Sequence, residues 1–157
     1  MNSIEKSIVV DVPVSTAYNQ WTQFESFPQF MEGVESVQQR TDKMTHWRAN
    51  IAGKTEEWDA EITEQTPDQR VAWRSTSGAY NAGTVRFQPM GARQTQIYLR
   101  LDYMPEGIVE KAGDALGMVE RRVTGDLERF KKFIESRGGE TGAWRGEIHN
   151  AQVQRGS

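Results

Sequence analysis

The decisive stretch for the fold is IVEKAGDALGMVERRVTGDLERFKKFI, residues 108–134. Its apolar side chains recur at steps of three and four: Ile108, Ala112, Leu116, Val119, Val123, Leu127, Phe130 and Ile134. This spacing places them on one face of a helix, and such a face has to be covered by another element. The pattern therefore predicts one long amphipathic helix over residues 107–137.

The segments before this helix alternate between apolar and polar residues. A first strand is predicted at residues 4–10, followed by a short helix capped by Ser15 or Thr16. Because Pro28 breaks that helix, a second short helical turn is predicted over FESFPQFM, residues 24–31. Six further strands are predicted at residues 34–40, 45–51, 55–64, 70–75, 83–87 and 94–103. Because only short turns separate the six, they form an antiparallel meander, and we expect the sheet to curl around the helix.

The phase of the alternation divides the sheet into two faces. One face carries the apolar set Trp47, Ala49, Ile51, Trp58, Ala60, Ile62, Val71, Trp73, Val85, Phe87, Ile97, Leu99, Leu101 and Tyr103. The opposite face carries charged residues, among them His46, Asp59, Arg74, Arg86 and Arg100. This division is typical of a half-covered antiparallel sheet. The charges favour cross-strand ion pairing on a solvated face, with a charged ligand site as the alternative.

Composition narrows the possible functions. The 157 residues predict a single domain at residues 1–137, followed by a flexible polar tail at 138–157 in which Trp144 is the one candidate docking residue. A net charge of −3 with interspersed signs argues against nucleic-acid binding. The absence of cysteine excludes disulfides and thiolate chemistry. No run has the length for stable membrane insertion or a signal peptide, so we expect a cytoplasmic protein.

Several local sequence motifs indicate a resemblance to a known family. The stretch WTQFESFPQFMEGVESV (residues 21–37), the set Trp47, Trp58, Ala60 and Ile62, RVAWRSTSG (70–78) and DLERFKKFIE (126–135) together carry it. Over residues 1–137 the chain resembles the polyketide cyclase/dehydrase-like branch of the START/Bet v 1 (SRPBCC) superfamily, which is related to coenzyme Q-binding proteins. The resemblance implies an α+β helix-grip fold, with about seven strands around the long helix, and an apolar cavity for lipids, isoprenoid quinones or polyketides.

The residues themselves reveal no catalytic set. His46 is predicted on the wet face and His149 in the tail, and neither spacing suggests a metal site or a triad. Glu64 shares the inner phase but ends its strand, which favours a solvated rim. Neither a metal nor a cofactor is predicted. If the protein is an enzyme, Tyr103, Tyr80 or Arg74 would position substrate or move protons.

We therefore predict a ligand pocket between the concave face of the sheet and the glycine-bearing half of the helix, gated by a hinge at residues 103–107. Its predicted lining is Trp58, Trp73, Phe87, Tyr103, Ile108, Ala112 and Leu116. The first function hypothesis is binding, transport or sequestration of a hydrophobic small molecule. The alternatives are a metal-independent polyketide aromatase/cyclase or dehydratase, and a stress-linked protein-interaction module that uses the outer face. The sequence leaves the oligomeric state open.

Overall fold

The computed structural model describes residues 2–51, 54–78, 80–103, 112–137 and 139–154. Side chains are described for these residues except 2, 51, 54, 103, 112–119 and 154. The described strands are β1 (Asn2–Val10), β2 (Val34–Gln39), β3 (Met44–Ile51), β4 (Lys54–Thr66), β5 (Arg70–Ser77), β6 (Asn81–Gly91), β7 (Gln94–Tyr103), β8 (Glu147–His149) and β9 (Gln152–Gln154). The helices are α1 (Val14–Trp21), a 3₁₀ helix (Phe24–Gln29) and α2 (Ala112–Arg137).

The sheet is antiparallel throughout its main path, in the order β1-β7-β6-β5-β4-β3-β2. The meander β2 to β7 therefore follows chain order, and β1 closes on the last strand of the meander. This arrangement confirms the predicted seven-stranded antiparallel sheet. Strand positions agree with the predicted ones to within a few residues, because a strict period of two leaves little freedom in register.

The long helix covers the inner face of the sheet. Its buried positions Val123, Leu127, Phe130 and Ile134 belong to one core cluster with strand residues such as Val71, Val85 and Ile97. The predicted helical stripe is confirmed from Val123 onward. The start predicted at residue 107 lies outside the described residues, as does most of the predicted hinge, residues 104–107.

Two local predictions were wrong. Helix α1 begins at Val14 with Pro13 at its N-cap, and the hydroxyl of Ser15 instead donates to Asp68 Oδ2 at 3.0 Å. Proline suits this place because the first turn of a helix needs no backbone N–H from it. The inner phase predicted for Glu64 was also wrong, because the pairing of β4 with β5 shifts between Ile62 and Glu64. Glu64 therefore turns outward, where it is 24% exposed in agreement with the favoured solvated position, and Gln65 becomes the buried residue, 1% exposed.

The polar C-terminal segment also differs from the irregular extension that its composition predicted. Strands β8 and β9 form a hairpin, and Ile148 pairs with Gln65 on β4 while being fully buried. We call residues 139–154 the C-terminal strap. The strap also makes specific hydrogen bonds with the end of α1. The Thr141 N–H donates to Gln20 Oε1 at 2.8 Å, and the Trp144 N–H donates to Thr22 Oγ1 at 3.0 Å.

Candidate ligand-binding interior

The inner face has a densely packed end, where α1, the 3₁₀ helix and the last turns of α2 meet the sheet. Aromatic rings fill this end: Trp21 and Phe130 have centroids 4.8 Å apart, and Phe30 and Phe130 are 5.2 Å apart. All three side chains are at most 3% exposed. We call this region the closed end, because such edge-to-face packing leaves no room for a guest molecule.

The other end of the inner face is less filled. Along β7, Ile97 is fully buried, whereas Leu99 and Leu101, on the same face and farther along the strand, are only partly buried. Along β5 the same change occurs between Val71 and Trp73. We call this region the open half. Apolar side chains that face inward yet keep accessible surface are typical of a ligand-binding concavity.

Two tryptophans form a flat wall on β3 and β4. Trp47 and Trp58 are directly opposed across the two strands, and their rings are stacked with centroids 5.8 Å apart and an interplanar angle of 9°. The indole N–H of Trp47 donates to Thr45 Oγ1 at 2.9 Å, and its ring contacts Phe27 at the closed end. Trp58 is thus held by its stacked neighbour and remains partly exposed.

The Trp73 indole is held in place by contacts with β6. Its indole lies across Gly83, the residue directly opposite it on β6, where a side chain would have no space. The indole N–H reaches Asn81 Oδ1 at 3.3 Å, and the Asn81 backbone N–H donates to Ser75 Oγ at 3.0 Å. Asn81 and Ser75 place polar groups beside an apolar ring, the combination that anchors an otherwise hydrophobic ligand. Sequence reasoning did not single out either residue.

Lys6 is a second polar group that sequence reasoning left without a role. It has the inner phase of β1, between Ile4 and Ile8, and its Nζ lies 3.0 Å from Glu120 Oε1 on α2. Both side chains are partly exposed, at 33% and 50%. The ion pair therefore ties the first strand to the helix at the border of the concave face. Its signal in the sequence was a single lysine in an otherwise apolar alternation.

The predicted lining residues fall into three groups. Trp58 and Trp73 lie on the inner face of the open half, as described above. Phe87 lies at the closed end, edge-on to Tyr18 and Trp21 with centroids 5.6 and 6.3 Å away. The other predicted lining residues have side chains outside the described part. The backbone of Tyr103 pairs with Asn2 and Asn81, and the backbones of Ala112 and Leu116 belong to α2. Ile108 lies wholly outside the described residues.

Of the candidate catalytic groups, the structure describes the side chains of Arg74 and Tyr80. Arg74 faces solvent on the outer side of β5, as predicted from its phase; it is 60% exposed and pairs with Glu61 at 3.4 Å, so its side chain does not line the inner face. Tyr80 is 39% exposed. Burial raises the pKa of Tyr18 to about 12, so this phenol stays protonated at neutral pH. Among the described residues, no group of three His, Cys, Asp or Glu side chains is arranged to hold a metal ion.

Comparisons with known proteins agree with this geometry. Residues 10–132 match the model of the family described as "Polyketide cyclase / dehydrase and lipid transport". An uncharacterized 17.2 kDa protein from the melC2–rnhH intergenic region of Streptomyces lincolnensis is 57% identical over 149 residues, covering 94% of this chain and 99% of that protein.

Two solved structures share the fold at low identity. The Zhui aromatase/cyclase of Streptomyces sp. R1128 superposes with a TM-score of 0.75 at 17% identity, covering 91% of this chain and 99% of the other. A START superfamily protein from Mycobacterium smegmatis gives a TM-score of 0.67 at 16% identity, covering 86% and 95%. None of the helices in the described part of this chain combines the length and apolar content needed to cross a bilayer.

Proposed function

Because the chain belongs to the polyketide cyclase/dehydrase and lipid transport family, we propose that it binds a hydrophobic small molecule between the open half of the sheet and α2. The observation that carries the proposal is the partial burial of inward-facing apolar side chains at this end: Trp58, Trp73, Leu99 and Leu101. In a fully packed core these side chains would be as buried as Val71 and Ile97, both at 0% exposure.

The chemistry of the wall favours a ligand with a flat or branched apolar body. The stacked Trp47–Trp58 pair and the Trp73 indole offer large rigid surfaces, and removing apolar surface from water contributes about 25 cal/mol per Å². Asn81 and Ser75 supply hydrogen-bonding groups beside Trp73. A molecule with one or two oxygens on an apolar skeleton matches this surface, which includes lipids, isoprenoid quinones and polyketides.

A carrier or binder is favoured over a cyclase-type enzyme. In strands β3 to β7, the described charged side chains lie mostly on the outer face of the sheet, where they are solvated and ion-paired, as with Arg48 on β3 and Glu35 on β2 at 2.9 Å. General acid–base catalysis requires a group within hydrogen-bonding reach of the bound molecule. Within the described set, the titratable groups at the border of the concave face are Lys6 and Glu120, which are paired with each other at 3.0 Å. Outside that set, Tyr103 is the sequence-predicted candidate.

Native mass spectrometry of freshly purified protein tests the proposal. We expect a co-purified apolar molecule of defined mass, which organic extraction removes and which rebinds on addition. The variant Ala112→Trp, at a position whose helical phase predicts an inward side chain, should lose the bound mass. Glu128→Trp, at an exposed position of α2, is the matched control and should retain it. Equal retention by both folded variants would contradict a pocket bounded by the start of α2.

A further inference from the structure

The outer face of the sheet contains a groove that the proposed function does not use. It has a volume of about 500 Å³ and crosses β1, β7 and β6, with a lining that includes Glu5, Ser7, Thr84, Arg86, Tyr98 and Arg100. This volume lies within the range of small-molecule sites, but the groove is polar and separated from the interior by the sheet itself. Any ligand here would be chemically different from the apolar guest of the interior.

Most charges on the outer face are neutralised by neighbours. Arg48 pairs with Glu35 and Arg74 with Glu61, while Arg100 contacts both Glu5 at 3.9 Å and Asp102 at 3.4 Å. These contacts confirm that the alternating charges of the sequence serve largely as cross-strand pairs. An arginine on this face that makes no ion pair is therefore not explained by cross-strand pairing.

Arg86 is one such exception. Among the described residues, no carboxylate oxygen lies within 4.0 Å of its guanidinium group, whose central carbon instead sits 4.9 Å from the centre of the Tyr98 ring. The residue directly opposite Arg86 on β5 is another arginine, Arg70. Like charges at directly opposed positions of an antiparallel pair repel each other. The carboxylate that acts on Arg70, Glu64, is already bonded to His149 and Thr66.

The groove also presents Arg86 in a prepared orientation. A guanidinium plane resting on an aromatic ring keeps its N–H groups at the edge, where they can donate two parallel hydrogen bonds to an oxyanion. The hydroxyls of Ser7 and Thr84 lie in the same lining, and Ser7 is directly opposite Tyr98. Arg86 and these two hydroxyls supply the positive charge and the hydrogen-bond donors that the oxygens of a phosphate group need.

We propose that this groove binds a phosphate monoester of a small organic molecule, with Arg86 as its principal ligand and with Arg70, on the neighbouring strand outside the lining, as a more distant positive charge. The phosphate neutralises Arg86, and the open groove beside Tyr98 takes the organic part. This site is independent of the apolar interior, so the protein has two chemically distinct binding surfaces on opposite faces of one sheet.

The probe is phenyl phosphate at constant ionic strength. Its binding is measured by amide chemical shifts and by titration calorimetry. We expect saturable shifts centred on Thr84, Arg86 and Tyr98, with no shift from phenol, the neutral analogue. Arg86→Gln should weaken binding about tenfold or more because it removes a charge-assisted contact, and Arg70→Gln should weaken it less because it removes only a nearby positive charge. Arg74→Gln, an exposed arginine on the same face paired with Glu61, is the matched control and should bind like the wild type.

Several outcomes would overturn the proposal. Phenyl phosphate that fails to saturate, or that binds Arg86→Gln and Arg74→Gln equally, would leave the arginines as solvated surface charges. Binding to vesicles containing phosphatidic acid without any response to phenyl phosphate would assign the face to a membrane surface instead. Because Arg86→Gln leaves the interior untouched, it should retain the apolar ligand, so failure here is distinguishable from failure of the proposed function.

Discussion

The indole of Trp73 occupies the space that a side chain would need at Gly83. A Cβ atom built on Gly83 would lie 2.3 Å from Cζ2 of Trp73 and 2.6 Å from its Cη2. The two residues are directly opposed on β5 and β6, so the glycine is what allows the tryptophan to lie flat on the inner face of the open half. The wall of the proposed site therefore depends on the absence of a Cβ atom at Gly83 as well as on the indole of Trp73.

Gly83→Ala should destabilise the protein by about 1–3 kcal/mol, the usual cost of forcing extra atoms into a packed contact. It should also change the near-ultraviolet circular dichroism, because Trp73 has to move. Gly91→Ala is the matched control: nothing lies within 4 Å of a Cβ at that position, so its effect should stay within about 0.5 kcal/mol. Urea denaturation measures both. Equal stabilities for the two variants would refute the close approach.

Ile148→Ala tests whether the C-terminal strap belongs to the folded domain. Ile148 is fully buried against β4 and joins the main core cluster, so its truncation should cost about 2–5 kcal/mol. Gln152→Ala, an exposed change in the same hairpin, should be nearly neutral. Denaturant unfolding followed by circular dichroism gives both values. If Ile148→Ala were also neutral, the strap would contribute nothing to stability and the sequence-based expectation of a flexible tail would stand.

The stabilising contribution of His149 in the strap should decrease as the pH rises through neutrality. Hydrogen bonds to Glu147 and Glu64 raise the pKa of His149 above its ordinary value of 6.5. A raised folded-state pKa contributes stability that is fully present below about pH 6.5 and is lost as the pH rises through the folded-state value. Proton NMR of the imidazole should therefore give a titration midpoint above 6.5.

Glu64→Gln removes one of the two carboxylates that face His149, and the midpoint should fall. His46 lies between Glu57 and Asp59 at a separate site on the outer face, and its midpoint should not change in that variant. A midpoint for His149 at or below 6.5 in the wild type would contradict the ion pairs with Glu64 and Glu147.

The order of elements and the two faces of the sheet were predictable because each depends on short-range periodicity. Trp47, Trp73 and Leu99 pack inward and Arg86 and Arg100 face solvent, as their positions in the alternation require. The long helix was predictable for the same reason, since its apolar stripe recurs every three or four residues. Such patterns carry their information within a window of a few residues.

The features that the sequence did not reveal depend on contacts between distant segments. The bulge at Ile62–Glu64 replaces Glu64 with Gln65 on the inner face, and no local pattern marks an extra residue in a strand. The strap is polar in composition because it binds through side chains of α1 such as Gln20, and only Ile148 supplies a fully buried apolar anchor. The Asn81–Trp73 bond likewise joins residues whose adjacency exists only after β5 and β6 pair.

Site-resolved tryptophan quenching tests the central claim, a hydrophobic ligand in the open half, most directly. A short-chain quinone should quench the emission saturably, and the double variant Trp58→Phe/Trp73→Phe should lose most of that saturable component. Trp144→Phe, in the strap, is the control and should keep it. Quenching that rises linearly without saturation, or that survives in the double variant and disappears in Trp144→Phe, would contradict a ligand site on the inner face of the sheet.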